Sequence, residues 1–432
     1  MFSYDLEWQR VARTAGAGTS DETTTQAQYD AVGNQVVFID GRGKIWSTEY
    51  DARNRKVAIV DPLANRNEWV YDKAGNILEH RRANGGTWSN AYDEMDRLIQ
   101  ATDPRGQLAK LDYDAEGNLK KLIDWRSNIL EFDHDLSSRL VKVTYPDASR
   151  ETWEWDAADN VKVFTTRASQ TRTYTYDSRN RQVSSDWSDD TPDVLYEYDQ
   201  AGHLVTLSNS VSRLTYIHND ADELLSQTQD IALDKAGHDP KPRTIQYTID
   251  PDGLVDSMTY PGGSLVSYTY TARNQTSSIF LDGGFPLAQY FYDLNDNRIA
   301  KNLENGTSVN YSYDDADRLS KIQHQKGVTI FGLSEYGYDS VNRKTFVARE
   351  DGRGDVYSYD EIDQVIGVLY QALNPGSVPV SPKRTVTYEL DAAGNWTAVT
   401  DNSQITHSHP IIFQEKSAGL GDFALPQDGD EK

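Results

Sequence analysis

The chain has 432 residues, 43 Lys and Arg against 67 Asp and Glu, a net charge of −24 and no cysteine. Without Cys there is no disulfide framework, no thiolate metal site and no Cys nucleophile, and so strong a negative field repels phosphate backbones. Mean hydropathy is −0.70, polar for a globular chain, yet 26 Tyr, 11 Phe and 9 Trp supply the aromatic surface of a folded one.

Residues 1–28 contain no signal-type apolar stretch, and no apolar run long enough for a membrane helix occurs anywhere. They read as an N-terminal cap or partial repeat, with Tyr4-Asp5 an outlying copy of a dipeptide that becomes regular from residue 29. Between there and about residue 400 the chain obeys one ruler. Tyr-Asp recurs at Tyr29-Asp30, Tyr50-Asp51, Tyr71-Asp72, Tyr92-Asp93 and Tyr113-Asp114, each step being 21 residues. Degenerate copies at His134-Asp135 and Trp155-Asp156 keep the register as far as Tyr176-Asp177. The series then runs through Tyr198-Asp199, His218-Asn219, Ile249-Asp250, Tyr270-Thr271, Tyr292-Asp293, Tyr313-Asp314, Tyr338-Asp339, Tyr359-Asp360 and Leu390-Asp391, which makes 17 units.

Three residues after the Asp stands, in most units, Gly, Asn or Asp, followed by Asn or Arg: Gly33-Asn34, Asn54-Arg55, Gly75-Asn76, Asp96-Arg97, Gly117-Asn118. These residues tolerate positive φ, so the position reads as the left-handed corner of a tight turn, and the alternation points to a supercycle of two units. The Asp is expected to accept N–H bonds from that turn, and the Arg to pair with a carboxylate on the next hairpin.

A second aromatic two positions before the Tyr slot in 13 of the units, among them Trp69, Phe132, Trp153 and Tyr174, gives the period of a half-buried strand. A second strand follows the turn, as in residues 118–124 and 139–147, and closing turns come at Asp61-Pro62 and Asp103-Pro104. One unit is therefore one β-hairpin. The fold class is all-β: about 17 antiparallel hairpins in a spiralling, curved sheet that forms a partial or small hollow shell. Insertions near 229–243 and 370–384 read as elongated loops, and 401–432 as an irregular or disordered tail.

Nothing in the sequence has the form of a catalytic or cofactor motif: there is no HExxH, GxSxG, Walker loop or GxGxxG. The acidic runs at 219–223 and 314–317 lack the EF-hand Gly and Glu, and His407 and His409 have no fixed carboxylate beside them. No catalytic, cofactor or metal residue is therefore assigned, and no cofactor is expected. Trp46, Trp88, Trp125 and Trp187 lie outside the regular aromatic slot and are the candidates for stacking on a neutral sugar.

YDxxGN alternating with YDxxNR or YDxxDR on a 21-residue ruler resembles the Rhs/YD-repeat family, which includes Rhs toxins, wall-associated proteins, insecticidal toxin complex C subunits and teneurin-like shells. The resemblance implies a non-enzymatic shell segment, secreted or at the cell surface, that encloses or presents polypeptide cargo such as a toxin. Its partners would be that cargo or the remainder of a larger Rhs/YD protein, with no nucleic acid and no membrane span. The family's DPxGxxGG-like stretch is absent here, so the chain reads as a fragment or a stand-alone array. The alternative is a binding module for glycans or cell-surface proteins, and a polysaccharide hydrolase is a remote third.

Overall fold

The computed structural model describes residues 1–231, 242–391 and 394–402. These residues form 36 strands and no helix, from β1 (Phe2–Tyr4) to β36 (Trp396–Asp401). Every strand is antiparallel to the next in sequence, and β1 and β36 do not pair with each other, so the sheet is open. The cores of the two expected regions at 229–243 and 401–432 fall at 232–241 and 403–432, outside the described residues.

The hairpin of β3 (Thr23–Tyr29) and β4 (Gln35–Ile39) shows why the ruler works. Gly33 N donates to Asp30 O at 3.1 Å and Asp30 N to Asn34 O at 2.9 Å, closing a type I turn whose last residue is left-handed. The corner has φ of +94° at Gly33, +60° at Asn54, +114° at Gly75 and +60° at Asp96. Tyr29 opposes Gln35 while Gln28 opposes Val37, so Val36 is the extra residue of a bulge. Tyr4-Asp5 heads the same turn, with Trp8 at its corner, φ +62°.

Bulges make the sheet coil. In register, Ile39 lies three residues up from Tyr29, whereas its partner Ile45 lies five residues before Tyr50, so each hairpin begins two residues lower than the last. Such a stagger, added to the intrinsic twist, winds a strip into a helix.

The wall is one layer thick. No strand contacts any strand except its sequence neighbours, and only ten hydrophobic side chains are buried among the described residues. The best-packed region centres on Leu122, Phe132 and Val143, flanked by Leu111, Leu130, Leu140 and Trp153. Cross-strand pairs sort the faces: Trp69 stacks on His80 at 5.1 Å and Trp153 packs on Phe164 at 5.3 Å on one face. The other face carries Glu68 opposite Arg81, Lys121 opposite Glu131 and Asp133 opposite Lys142.

Candidate functional site

All eleven signature tyrosines use their hydroxyl in one way. Tyr50 donates to Gln35 O (3.1 Å), Tyr71 to Lys56 O (2.8 Å), Tyr92 to Ile77 O (3.0 Å) and Tyr113 to Leu98 O (2.9 Å). Tyr29, Tyr176, Tyr198, Tyr292, Tyr313, Tyr338 and Tyr359 do the same at 2.7–3.1 Å. In the regular units the acceptor is the carbonyl beside the bulge of the preceding hairpin, so the ring bridges two repeats. Trp155 replaces Tyr without loss because its Nε1–H reaches Leu140 O at 2.9 Å. Tyr113→Phe is expected to destabilise the region by about 1 kcal/mol through the orphaned Leu98 carbonyl, measured by urea denaturation.

The signature aspartates are equally uniform. One carboxylate oxygen of Asp30, Asp51, Asp72, Asp93, Asp114, Asp177, Asp199, Asp293, Asp314, Asp339 and Asp360 accepts the N–H of the residue four positions on, at 2.7–3.0 Å. The second oxygen takes that residue's side chain, as with Asn34 Nδ2 at 2.8 Å and Arg55 Nε at 2.7 Å. These bonds hold the Asp30, Asp51, Asp72, Asp93, Asp114 and Asp177 carboxyls below their ordinary range.

The structure meets the expectation for Arg in part: Arg139 and Arg343 pair with Asp159 (2.6 Å) and Asp363 (3.1 Å) on the next hairpin, but only as a second contact. The guanidinium pairs first with the Asp of its own turn, because four residues place the two side by side, as in Arg97–Asp93 at 2.7 Å. What reaches the next hairpin is the far edge: Arg55 donates to Asp72 O at 2.7 Å and lies 4.6 Å over the Tyr71 ring. Asn units act differently: Asn34 Nδ2 donates to Asn54 Oδ1 at 3.1 Å and Asn76 Nδ2 to Asp96 Oδ1 at 2.8 Å. This explains the supercycle. An Asn needs a corner side chain to bond, whereas Arg reaches the backbone carbonyl and leaves room for Gly75 or, after Arg181, Gly202. Gly117 and Asn118 continue the alternation beside Arg97, 3.8 Å from where a Gly117 Cβ would sit.

One link of this ladder is a histidine. His203 holds Asp199 at 2.8 Å through Nδ1 and Asp222 at 3.0 Å through Nε2, with the His218 ring stacked 4.8 Å away. The bond to Asp199 pushes His203 up from 6.5, and His203 in turn brings Asp199 down to about 2. A raised pKa means the link is complete below the ordinary imidazole value and is lost as pH rises through the raised one. Amide-exchange protection around 199–224 should therefore fall with rising pH, and His203→Asn, the residue used at Asn34 and Asn76, should remove that dependence.

The closing turns hold a feature that sequence reading missed. Asp40, Asp61, Asp103 and Asp124 each accept the N–H groups two and four residues on, so both rims of the early hairpins are built from the same aspartate turn. The signal was present as Asp followed three or four residues later by Gly, Asn or Gln. Three of these turns carry Arg at their third position: Arg42, Arg105 and Arg126.

Those arginines join one coil to the next. Arg42 pairs with Asp317 at 2.5 Å and donates to Asp314 O at 2.8 Å; Arg105 lies 3.5 Å from Asp360 and Arg126 2.6 Å from Asp391. Lys44–Asp315 and Arg82–Asp363, both 2.6 Å, and Asn295 Nδ2 to Asp40 at 2.6 Å belong to the same seam, as does Thr23 Oγ1 donating to Leu294 O at 2.7 Å. The closing-turn rim of the first coil thus meets the Tyr-Asp rim of the second, some 250 to 280 residues on. Gly41 permits the approach, since a Cβ there would collide with the Leu294 carbonyl and the Thr23 hydroxyl.

Trp46 lies opposite Phe38 and lines two clefts along the seam, of about 440 and 180 Å³. Trp88 meets Trp125, a closing-turn residue, edge to face at 6.0 Å, and Trp187 shares Arg172 with Tyr174. All four are half-buried; Trp8 and Trp396 are the exposed ones. Among the described residues no group of three His, Asp or Glu could hold a metal, and His407 and His409 lie outside them.

A single-layer sheet of sequential hairpins, stitched along one rim by Tyr-Asp turns, defines a repeat shell. Residues 71–108 match the family described as RHS Repeat and residues 183–357 that described as Teneurin YD-shell, so over these stretches the chain is similar to the Rhs/YD-repeat family. Among solved structures, the TcdB2-TccC3 protein is similar at 16% identity and TM-score 0.62, over 94% of this chain and 24% of that one. The form without its hypervariable C-terminal region gives 15%, 0.63, 94% and 23%. The Photorhabdus luminescens Tc holotoxin pore gives 15%, 0.61, 93% and 23%. These likenesses are of fold, and the chain spans about a quarter of the length of those chains. No curated protein matches it by sequence.

Proposed function

We propose that the chain is a non-catalytic wall segment whose role is to enclose or present polypeptide cargo, outside the cell that makes it. The observation that carries this reading is the seam, because a strip that docks on its own preceding coil builds a tube. From β4 to β27 (Pro286–Tyr292) there are 23 strand steps. At about 4.8 Å each they give a circumference of about 110 Å and a backbone diameter of about 35 Å. Side chains take up about 5 Å on each side, half the usual sheet-to-sheet spacing, which leaves about 25 Å. That bore is narrower than a folded domain of about 100 residues with its radius of gyration of about 13 Å. The cargo it suits is an extended or small polypeptide, and the shell relatives, one of them described as a holotoxin pore, support the same reading.

The test is native purification from the source cells followed by limited proteolysis and intact-mass measurement. A second polypeptide retained with the chain and shielded from protease is the expected result. A 48.7 kDa species alone, with nothing shielded, would overturn the reading in favour of surface binding. For that alternative Trp46 is the residue with open space beside it, and loss of glycan binding in Trp46→Ala would be its signature.

A further inference from the structure

Net charge conceals a difference between the two faces of the second coil. The position two before the signature Tyr holds Ala27, Thr48, Trp69, Asn90 and Leu111 in the first coil, so the fold does not require an aromatic there. In the second coil it holds Tyr268, Tyr290, Tyr311, Tyr336, Tyr357 and Tyr388. On the same face, the strands between these tyrosines bear cations. Tyr290 lies opposite Lys301 and Tyr292 opposite Arg298 on β28 (Arg298–Leu303). Thr307 lies opposite Lys326 on β30 (Leu319–Lys326), and Tyr338 opposite Lys344 on β32 (Lys344–Arg349). From β27 to β33 (Arg353–Tyr359) the one strand carboxylate on this face is Asp355, which Arg349 already holds at 2.6 Å. Arg298, Lys301, Lys326 and Lys344 have no carboxylate partner among the described residues. Arg298 sits between two rings, 5.5 Å from the Tyr290 centroid and 5.4 Å from that of Tyr311, and Lys344 Nζ lies 4.7 Å over Tyr336. On the opposite face Lys321 is neutralised by Glu335.

We propose that the tyrosine face of β27–β33 lines the bore and holds an acidic polypeptide, its carboxylates on Arg298, Lys301, Lys326 and Lys344 and its apolar side chains on the rings between them. This deepens the wall reading above, rests on it, and names the cargo by its chemistry. The tyrosine face is the covered one: Tyr290, Tyr311 and Tyr357 are half-buried where their neighbours Phe291, Ser312 and Ser358 are exposed. With no second layer on either side, such crowding marks the concave face of a wound sheet, because side chains converge there and splay apart on the convex side. Cations set against aromatic rings keep their charge while losing water, which strengthens their pull on a carboxylate. A basic polypeptide meets like charge on this lining, and complementary charge selects an acidic one. A polypeptide can space its carboxylates to four cations, whereas a nucleic acid brings a phosphate with every unit into the field of a chain of net charge −24.

The full chain, made in its source cells with a photo-crosslinking phenylalanine analogue in place of Tyr290 or Tyr311, tests the assignment. Phe291, exposed on the opposite face, serves as the control site. The expected products are crosslinks from Tyr290 and Tyr311, not from Phe291, to polypeptide segments in which Asp and Glu outnumber Lys and Arg. Combining Arg298→Gln, Lys301→Gln, Lys326→Gln and Lys344→Gln should lower their yield at least about tenfold with the β-sheet circular dichroism unchanged, and Lys301→Arg with Lys326→Arg and Lys344→Arg should preserve it. Crosslinks to neutral or basic segments, to nucleic acid or to glycan, equal yield from Phe291, no crosslinks, or an undiminished yield in the Gln variant would each overturn the proposal. A protease-shielded polypeptide that is not acidic, or that does not crosslink from Tyr290 or Tyr311, would sink this inference and leave the wall reading standing. With no shielded polypeptide at all, the wall reading itself would go.

Discussion

Arg42→Ala is expected to open the seam, raising the radius of gyration in small-angle scattering and accelerating amide exchange at 293–297 and 314–318, with the strand ladder intact. Arg42 is the hub of the contact: its side chain is 17% exposed, it pairs with Asp317, bonds the Asp314 carbonyl and lies 3.8 Å from Asp293. Removing it leaves Asp40, Asp293 and Asp317 converging on Asn295 with no cation among them. The pair is half-buried, so its loss falls between the about 0–1 kcal/mol of an exposed pair and the about 3–5 kcal/mol of a buried one. Arg42→Lys should restore only part of the contact, since an ammonium cannot span a carbonyl and two carboxylates in one plane. An unchanged radius in Arg42→Ala at low salt would show that the other pairs hold the coils without it.

Phe132→Ala is expected to cost about 3–5 kcal/mol, the usual loss on removing a buried aromatic side chain. Phe132 is 7% exposed and sits between Leu122 and Val143 in the best-packed cluster of the wall. Because each strand packs only on its sequence neighbours and the seam touches this region through the Arg126 turn alone, the loss should stay local and split urea unfolding into two transitions, the earlier one spanning residues near 108–155. A single cooperative transition, merely shifted, would mean that coupling along the sheet is stronger than nearest-neighbour contacts provide.

The strands and their turns were legible in the sequence because the same physics is written many times over. Asp30, Asp51 and Asp72 each initiate a turn, and the left-handed corner three residues later announces itself by Gly, Asn or Asp. The alternation at Gly33, Asn54, Gly75 and Asp96 was visible too, but its cause was not. It depends on whether Asn34 or Arg55 does the reaching, which is a matter of side-chain length across a strand spacing. The Arg expectation held only at Arg139 and Arg343, which reach Asp159 and Asp363 on the next hairpin, because proximity within a turn comes first in every Arg unit. The seam was illegible because it joins residues more than 250 apart, and nothing local in Asp40-Gly41-Arg42 says which turn it will meet. Trp46, Trp88, Trp125 and Trp187 were singled out by irregular position, which does not report exposure.

A strip whose strands touch only their sequence neighbours can form as it is synthesised, hairpin upon hairpin, with loop closures of a few residues at each step. Only the seam must wait, since Arg42 finds Asp317 after some 270 more residues have been laid down. Winding therefore proceeds like a tape whose second lap is fastened to the first by side chains alone. The same tape can be unfastened without breaking one ladder hydrogen bond, so a wall of this kind can admit or release what it surrounds while remaining folded.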